Sequence, residues 1–285
     1  MTTSHEHPVI SYPVEAGGVL TRVLECGQGD DVVLFLHGSG ARADRWRRNL
    51  PGLAAHGYRA LAIDFPGHGF ASKGAQLRYD TPSFAAMIAD FVESLDTGPV
   101  TLVGTSLGAH VAAWYACSAP SSVRSAVLVG ALGLVPVHRD PGQTSSRIAD
   151  TSAEGVASKL RMLLCDASLV TSSWVEEERR INTSPGAADA LAELRTYLAS
   201  RLNDDVIGPR YASVGIPTLL VWGEQDRWVA PHYGREAANV LVDSALVFLE
   251  NAGHAPYLER PDAFNSVVDE FLRDPPGFGT GVQHR

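Results

Sequence analysis

The sequence is poor in cysteine, in long hydrophobic runs and in basic charge, and each shortage excludes a class of protein. Three cysteines in 285 residues are too few for a disulfide framework, so we expect reduced thiols and a cytoplasmic location. The longest apolar stretch, residues 126–137, is too short to span a bilayer, and the first residues lack a secretion signal. Lysine and arginine total 23 against 32 acidic residues, a formal charge of -9, so neither nucleic acid nor a membrane is an expected partner.

What the sequence does contain is an alternation of strand-like and helix-like periods. The apolar runs that indicate strands lie at residues 19–25, 31–37, 58–64, 100–104, 123–130, 217–223 and 244–249. Helical periods follow at residues 46–55, 81–95, 106–119, 232–241 and 261–272. Thr81 and Pro82 are expected to start one helix, with a capping hydroxyl and a proline in the first turn. The alternation predicts an α/β fold, a mostly parallel sheet with helices on both faces.

One region departs from this alternation. Residues 134–212 show no strand-like run, only helical pattern interrupted by prolines, with helices predicted over residues 158–165, 174–181 and 185–199. Proline and glycine concentrate at its edges, residues 133–142 and 208–215, which we expect to be hinges. We therefore predict a core of residues 1–133 and 213–285 that carries a helical cap of residues 134–212. Residues 274–281 are expected to be disordered.

A serine between two glycines carries the chemistry. Ser106 lies in Gly-Thr-Ser-Leu-Gly, after the strand of residues 100–104 and before the helix of residues 106–119. A nucleophile on a sharp strand-to-helix turn needs small residues two positions to either side, because its backbone is strained and close to its neighbours. The context predicts Ser106 as the nucleophile.

Such a serine needs a base and an orienting acid, and both are found after strands further along the chain. His254 follows the strand of residues 244–249 beside a glycine, and it is the predicted base. Asp226 follows the strand of residues 217–223 and is the predicted acid, with Glu224 as its rival. Backbone N–H groups of Leu107 and Ser39 are expected to stabilise the oxyanion.

Other polar groups near these motifs have structural interpretations. His37 is expected to brace the loop that follows its strand, and His68 the loop Asp-Phe-Pro-Gly-His-Gly at residues 64–69. Three arginines, Arg45, Arg47 and Arg48, could bind a substrate carboxylate, but a solvated helix face is the favoured interpretation. Residues 174–180 are expected to form an exposed helix with ion pairs four residues apart. The three cysteines lack metal-ligand spacing and are expected to be buried.

With these motifs in order, the sequence resembles the α/β-hydrolase family from about residue 18 to residue 272. The residues that carry the resemblance are His37-Gly, residues 64–69, residues 104–108, residues 223–226 and Gly253-His254. The resemblance implies an eight-stranded sheet, the cap as a lid over Ser106, and hydrolysis through a serine-based step.

Within the family, His37-Gly-Ser-Gly with Trp46 and the stretch of residues 164–173 look like the meta-cleavage product hydrolases, which split C–C bonds in dienol-ketone products of aromatic ring fission. The chain departs from them where they steer the substrate. It has Thr105 and Arg48 where they carry asparagine, Ala255 where they carry tryptophan, and Glu178, beside Arg179, where they carry an arginine. The predicted substrate-binding residues are Gly38, Gly40, Arg48, Thr105, Arg179 and Ala255.

Three hypotheses follow. The first is a serine hydrolase that cleaves a small, largely apolar carboxylic ester through Ser106, His254 and Asp226. The second keeps the fold and changes the bond to C–C cleavage of a vinylogous diketone, and the third is a ligand receptor with a vestigial triad. No phosphate loop, zinc motif or dinucleotide fingerprint is present, so no cofactor and no metal are expected. The expected partner is a small-molecule substrate, and a homodimer is possible.

Overall fold

Nine strands form one sheet in this computed structural model, which describes residues 7–138 and 148–285. The strands are β1 (Ile10–Ala16), β2 (Val19–Cys26), β3 (Val32–Leu36), β4 (Arg59–Ile63), β5 (Val100–Thr105), β6 (Val123–Val129), β7 (Thr218–Gly223), β8 (Ala245–Leu249) and β9 (Gly281–His284). Their order across the sheet is β1-β2-β4-β3-β5-β6-β7-β8-β9. The pairs β1–β2 and β2–β4 are antiparallel and the other six are parallel. The predicted fold class, a mostly parallel α/β sheet, is confirmed.

Helices connect the strands. The described helices are α1 (Leu50–Ala54), α2 (Thr81–Ser94), α3 (Leu107–Ser118), α4 (Ala153–Leu163), α5 (Ser172–Asn182), α6 (Ala187–Ser200), α7 (Gly208–Ala212), α8 (Pro231–Val240), α9 (Pro256–Glu259) and α10 (Pro261–Arg273), with short 3-10 turns at Ala43–Trp46, Pro120–Ser122 and Ala167–Leu169. None of them is both long and apolar enough to cross a membrane, in so far as the chain is described.

Continuous apolar runs become strands because both faces of the sheet are covered. In β3, Leu34 and Leu36 point into one buried cluster, together with residues of α2 and α3. The alternate residues Val33 and Phe35 point into a second cluster, with residues of α1 and α10. The side chains of a strand alternate between faces, so a strand with helices on both sides needs apolar residues at every position.

Two local expectations are corrected. The sheet has nine strands rather than eight, because Gly281–His284 pairs in parallel with β8. This segment has one apolar residue in four, so its sequence gives no strand signal. Helix α2 is capped by Asp80, whose carboxylate accepts a hydrogen bond from the Ser83 N–H at 2.8 Å. The Thr81 hydroxyl, the predicted cap, instead lies 3.0 Å from His110 Nδ1.

Between β6 and β7 the described residues form helices and turns but no strand. We call residues 134–212 the insertion. Helices α4, α5 and α6 lie within about five residues of the predicted bounds. Part of the predicted first hinge, residues 139–142, lies outside the described residues. The assignment of the insertion to a separate cap stays a prediction.

The sheet topology places several loops at one edge. After β3 the chain crosses to β4 on one side, and it then returns to β5 on the other side of β3. The loops that follow β3 and β5 therefore diverge, and such a switch point leaves a crevice at the carboxyl ends of the strands. The loops that follow β6, β7 and β8 lie at the same edge, because these strands are parallel to β5.

Candidate active site

Ser106 lies in the strained turn between β5 and α3. Its backbone has φ 54° and ψ -116°, in the left-handed half of φ space that a serine rarely adopts. A side chain at Gly104 would collide with the Gly108 carbonyl, and one at Gly108 with the Leu36 carbonyl. The two glycines are therefore required by packing, as the spacing predicts. The turn leaves the serine side chain at the carboxyl edge of the sheet.

His254 and Asp226 lie on the loops that follow β8 and β7, and they are hydrogen-bonded to each other. His254 Nδ1–H donates to Asp226 Oδ2 at 2.7 Å. The other carboxylate oxygen accepts from the backbone N–H groups of Trp228 at 2.7 Å and Val229 at 2.8 Å. These bonds fix the carboxylate and leave Nε2 of the ring as an acceptor. Nε2 is buried and has no hydrogen-bond partner among the described residues.

The rival acid, Glu224, points away from this pair. Its carboxylate accepts a hydrogen bond from His284 Nδ1 at 2.6 Å, at the β9 edge of the sheet.

One neighbour of the pair of His254 and Asp226, Gly130, is missing from the sequence predictions. It follows β6 with φ 49°, and a side chain there would lie 2.9 Å from the His254 ring and 3.3 Å from Asp226 Oδ2. A glycine directly after an apolar strand is the signal that could have identified it.

The loop after β3 lies against the serine. A side chain at Gly38 would come within 3.2 Å of Ser106 Cβ, so the backbone of this loop approaches Ser106 closely. His37 braces the loop, since its Nδ1 is 2.8 Å from the Gly38 carbonyl and its Nε2 accepts from the Phe65 N–H at 2.9 Å. Burial lowers the pKa of His37 to about 3, so the ring is neutral. Leu107 is the first residue of α3, where a backbone N–H has no partner within the helix.

These groups line one pocket. Its walls contain core residues from the ends of the strands and the loops that follow them: Gly38, Ser39, Thr105, Ser106, Trp228, His254 and Ala255. The insertion contributes Lys159, Leu160, Leu163, Leu164 and Trp174. The structure thus brings most of the predicted site residues together. The free space inside is about 30 Å³, room for a few water molecules.

A buried cluster of charges joins the insertion to the core beside the pocket. Its members are almost fully buried: Arg42 is 4%, Arg45 5%, Lys159 2% and Glu178 1% exposed. Glu178 accepts from Arg42 at 2.8 Å, from Arg45 at 3.0 Å and from Lys159 at 3.2 Å. Burial alone would raise the pKa of Glu178, but Arg45, Lys159 and Arg42 hold it at about 2. Burial lowers the pKa of Lys159, and Glu178 opposes this shift.

This cluster corrects several expectations. Arg45 is not on a solvated face, because it lines the pocket and its guanidinium lies 4.6 Å from the centre of the Trp174 ring. Glu178 is not part of an exposed ion-pair ladder, since α5 turns it into the core. Arg47 is exposed as expected, at 47% of its side chain.

Two predicted substrate-binding residues lie away from the pocket, and one of the three cysteines is exposed although all are expected to be buried. Arg179 pairs with Glu176 at 2.8 Å on the outer face of α5. The exposed Arg48 side chain reaches the Leu258 carbonyl at 3.4 Å, in an open groove outside the pocket. Cys165 is exposed, whereas Cys26 and Cys117 are buried.

Comparison with known proteins agrees with this architecture. The sequence pattern of the family described as alpha/beta hydrolase fold matches residues 31–261. The chain belongs to the α/β-hydrolase family. In sequence it is 29% identical to the 2-hydroxy-6-oxononadienedioate/2-hydroxy-6-oxononatrienedioate hydrolase of Escherichia coli (strain K12), over 92% of this chain and 94% of that protein.

Solved structures give the same fold. A bacterial membrane phospholipase A superposes on this α/β-hydrolase with a TM-score of 0.85 and 25% identity, over 94% of this chain and 87% of the other. The 2-hydroxy-6-oxo-6-phenylhexa-2,4-dienoate hydrolase of Rhodococcus sp. strain RHA1 superposes with a TM-score of 0.85 and 22% identity. The superposition covers 94% of this chain and 99% of the other. The resemblance to the C–C hydrolase branch that the sequence motifs indicate is confirmed, and the chain is a hydrolase.

Proposed function

We propose that this hydrolase cleaves a carbon–carbon bond in an anionic vinylogous diketone, the class of compound that the Escherichia coli relative's name describes. The observation that carries the proposal is the buried guanidinium of Arg45 in the same pocket as Ser106 and His254. A substrate with both a ketone and a carboxylate matches a pocket with both a nucleophile and a buried cation.

In this mechanism the dienol substrate first tautomerises to the vinylogous diketone, as its hydroxyl proton moves to the carbon beside the ketone. Ser106 Oγ then attacks the ketone carbonyl, and its proton passes to Nε2 of His254. Asp226 stabilises the resulting imidazolium through the 2.7 Å bond to Nδ1. The N–H groups of Leu107 and Ser39 hold the oxyanion. When the tetrahedral adduct collapses, the bond between the former carbonyl carbon and the neighbouring carbon breaks. The conjugated carbanion takes the proton from His254, and water then hydrolyses the acyl-enzyme to a carboxylic acid.

Arg45 is the residue we assign to the substrate carboxylate. Among the described residues its Nη2 bonds to Glu178, and Trp174 covers one face of the guanidinium. The remaining N–H groups lie in the plane of the guanidinium, where a second carboxylate can accept them. A cation that is only 5% exposed is poorly hydrated, which strengthens its attraction for a charged ligand.

A second candidate, ester hydrolysis, is favoured by the pocket wall beside His254. Ala255 and Thr105 stand there where the C–C hydrolases that the sequence resembles carry tryptophan and asparagine. Glu178, where those enzymes carry an arginine, is fully engaged by three cations. The 25% identical phospholipase has the same fold.

The experiment that tests the proposal compares two substrates on the same preparation. A coloured ring-fission dienolate, such as a 2-hydroxy-6-oxo-dienoate, is expected to bleach in the presence of the wild-type enzyme. The substitution Ser106→Ala is expected to slow bleaching by about 10³-fold or more, because the nucleophile is lost. p-Nitrophenyl acetate serves as the neutral ester. Turnover of the ester with no consumption of any dienolate would overturn the C–C assignment in favour of esterase activity.

A further inference from the structure

Helix α4 of the insertion contacts three of the loops that form the site. In its middle, Lys159 Nζ donates to the backbone carbonyl of Gly40 at 3.1 Å. Gly40 is two residues after Gly38 in the loop that follows β3, and Ser39 between them carries the predicted oxyanion donor. The lysine thus contacts the oxyanion loop from the side of the insertion.

The C-terminal end of α4 contacts the other two loops. The Leu163 carbonyl accepts a hydrogen bond from the His254 backbone N–H at 2.7 Å. Arg227, next to Asp226, donates to the carbonyls of Arg161 at 3.0 Å and Leu164 at 2.7 Å. These carbonyls belong to the last turn of the helix and its exit, where backbone acceptors have no partner within the helix. The backbone carbonyls at the end of α4 therefore find their hydrogen-bond donors on the loops that carry Asp226 and His254.

The oxyanion loop, residues 38–41, is braced by His37 at the Gly38 carbonyl, but that bond does not reach the far end of the loop at Gly40. It is flanked by glycines, and Gly40 has φ 61°, so neighbouring conformations are easily reached. Within the loop, the Ala41 N–H donates to the Gly38 carbonyl at 3.2 Å. The Gly38 carbonyl that accepts this bond shares its peptide plane with the Ser39 N–H. The Ala41 N–H that donates it shares its plane with the Gly40 carbonyl, so Lys159 holds the peptide that in turn holds the Ser39 N–H.

Lys159 itself is held firmly. It is buried, and Glu178 of α5 accepts its second hydrogen bond at 3.2 Å. Glu178 is in turn fixed by Arg42 and Arg45 of the core. A buried ammonium between a fixed carboxylate and a backbone carbonyl has few alternative positions.

We propose that Lys159 is a positioning residue, which holds the oxyanion loop in its reactive geometry through the Gly40 carbonyl. Helix α4 thereby couples the oxyanion loop to the loops of His254 and Asp226. The inference rests on the proposed role of Ser106 as nucleophile, but not on the identity of the bond cleaved. Misplacing a reacting or stabilising group by about 1 Å costs about 10²-fold in rate, so a loss of this bond is measurable.

The test uses a neutral fluorophosphonate, which phosphonylates Ser106 and places a developing negative oxygen in the oxyanion hole. The second-order rate constant of labelling is measured for wild type, Lys159→Met and Arg42→Met. Lys159→Met keeps the length of the side chain and removes the donor, and we expect labelling to slow by about 10- to 100-fold. Arg42→Met removes one partner of Glu178, which keeps Arg45 and Lys159, and it leaves the bond from Lys159 to the Gly40 carbonyl in place. It should lower the melting temperature yet label within about twofold of wild type.

The pH dependence of labelling separates positioning from damage to the triad. If Lys159 acts through the oxyanion loop, the midpoint of the pH profile, which reports the base, stays as in wild type. Should Lys159→Met fail to fold, Lys159→Arg retains a charged donor, and it must label faster than Lys159→Gln for the proposal to stand. A labelling rate equal to wild type, or an equal loss in Lys159→Met and Arg42→Met, overturns it.

Two further outcomes keep this inference separate from the proposed function. A wild-type enzyme that labels at Ser106 but consumes no dienolate contradicts the C–C assignment, and the comparison of labelling rates is still valid. A Lys159→Met variant that labels normally and loses only dienolate turnover would make Lys159 a ligand of the substrate carboxylate, which overturns the positioning role.

Discussion

The two walls of the pocket are built in different ways. On the core wall, Ser106 follows β5 directly, and Asp226 and His254 lie three and five residues after the ends of β7 and β8. The register of the parallel sheet therefore places the start of each loop. On the insertion wall, the side chains come from α4, α5 and the segment between them. Their position relative to the core depends on side-chain bonds such as the one from Arg42 to Glu178, 136 residues away in sequence.

The difference has a physical consequence. A strand end is held by many backbone hydrogen bonds and by core packing on both faces, so one altered side chain leaves the loop in place. The charged cluster of Arg42, Arg45, Lys159 and Glu178 has a single carboxylate among its buried members. Removal of that group would leave Arg45 and Lys159 without an ion-pair partner among the described residues, whereas Arg42 keeps Asp44 and Glu177. We therefore expect core-wall substitutions to change catalysis with little loss of stability, and substitutions in the cluster to change stability first.

The largest expected effect tests the core wall, through Asp226→Asn. The amide oxygen can still accept from the Trp228 and Val229 N–H groups, so the side chain stays in place. Its NH₂ group then faces Nδ1 of His254 and stabilises the tautomer with the proton on Nε2, which cannot accept the proton of Ser106. We expect kcat to fall by about 10⁴-fold with the melting temperature within a few degrees of wild type.

The matched control is Glu224→Gln, on the same loop but hydrogen-bonded to His284 instead. Its activity should remain within about twofold of wild type. An equal loss in both variants, or an unfolded Asp226→Asn, would mean that the core wall also depends on single side chains.

The same contrast explains how much of the site could be predicted from the sequence. The motifs around Ser106, Asp226 and His254 are local, and their order relative to the strands places them at one edge of the sheet. Arg45 and Glu178 are charged residues in polar surroundings, and periodicity assigns such residues to solvent. Their burial depends on pairing between segments far apart in the chain, for which a single sequence carries no signal. The sequence carries no signal for β9, because four residues without alternation become a strand only where a sheet edge is available.

The insertion wall is tested by the stability of Glu178→Gln as a function of pH. The pKa of Glu178 in the folded protein is about 2, below its ordinary value of 4.5. A depressed pKa of this kind stabilises the folded state fully above about pH 4.5, and the contribution is lost as the pH falls toward 2. We expect Glu178→Gln to lower the free energy of unfolding by about 3 kcal/mol at pH 7, measured by urea denaturation. The difference in free energy of unfolding between wild type and Glu178→Gln should become smaller as the pH falls from 4.5 to 2.

Glu176→Gln is the control on the same helix. Glu176 pairs with Arg179 and Arg180 on the exposed face, where solvent screens the interaction. Its removal should change stability little at any pH. If Glu178→Gln is as stable as wild type at pH 7, the charged cluster does not hold the insertion against the core.

Arg45 connects the two walls, because it is a residue of the core, pairs with Glu178 of the insertion and lines the pocket. Arg45→Met keeps a chain of similar length and removes the buried donors. If the substrate carboxylate binds there, KM for the dienolate should rise by about 10- to 100-fold, because hydrogen bonds to a charged group are lost. The kcat/KM for p-nitrophenyl acetate should change by less than about threefold.

The control is Arg42→Met, which removes the other guanidinium that pairs with Glu178 but lies outside the pocket lining. It separates lost substrate binding from a loosened insertion, since a loosened insertion alone would affect both substrates in both variants. Equal losses on the dienolate and the neutral ester in Arg45→Met would therefore place Arg45 with the structural residues of the insertion wall, and the carboxylate of the substrate would have to bind elsewhere.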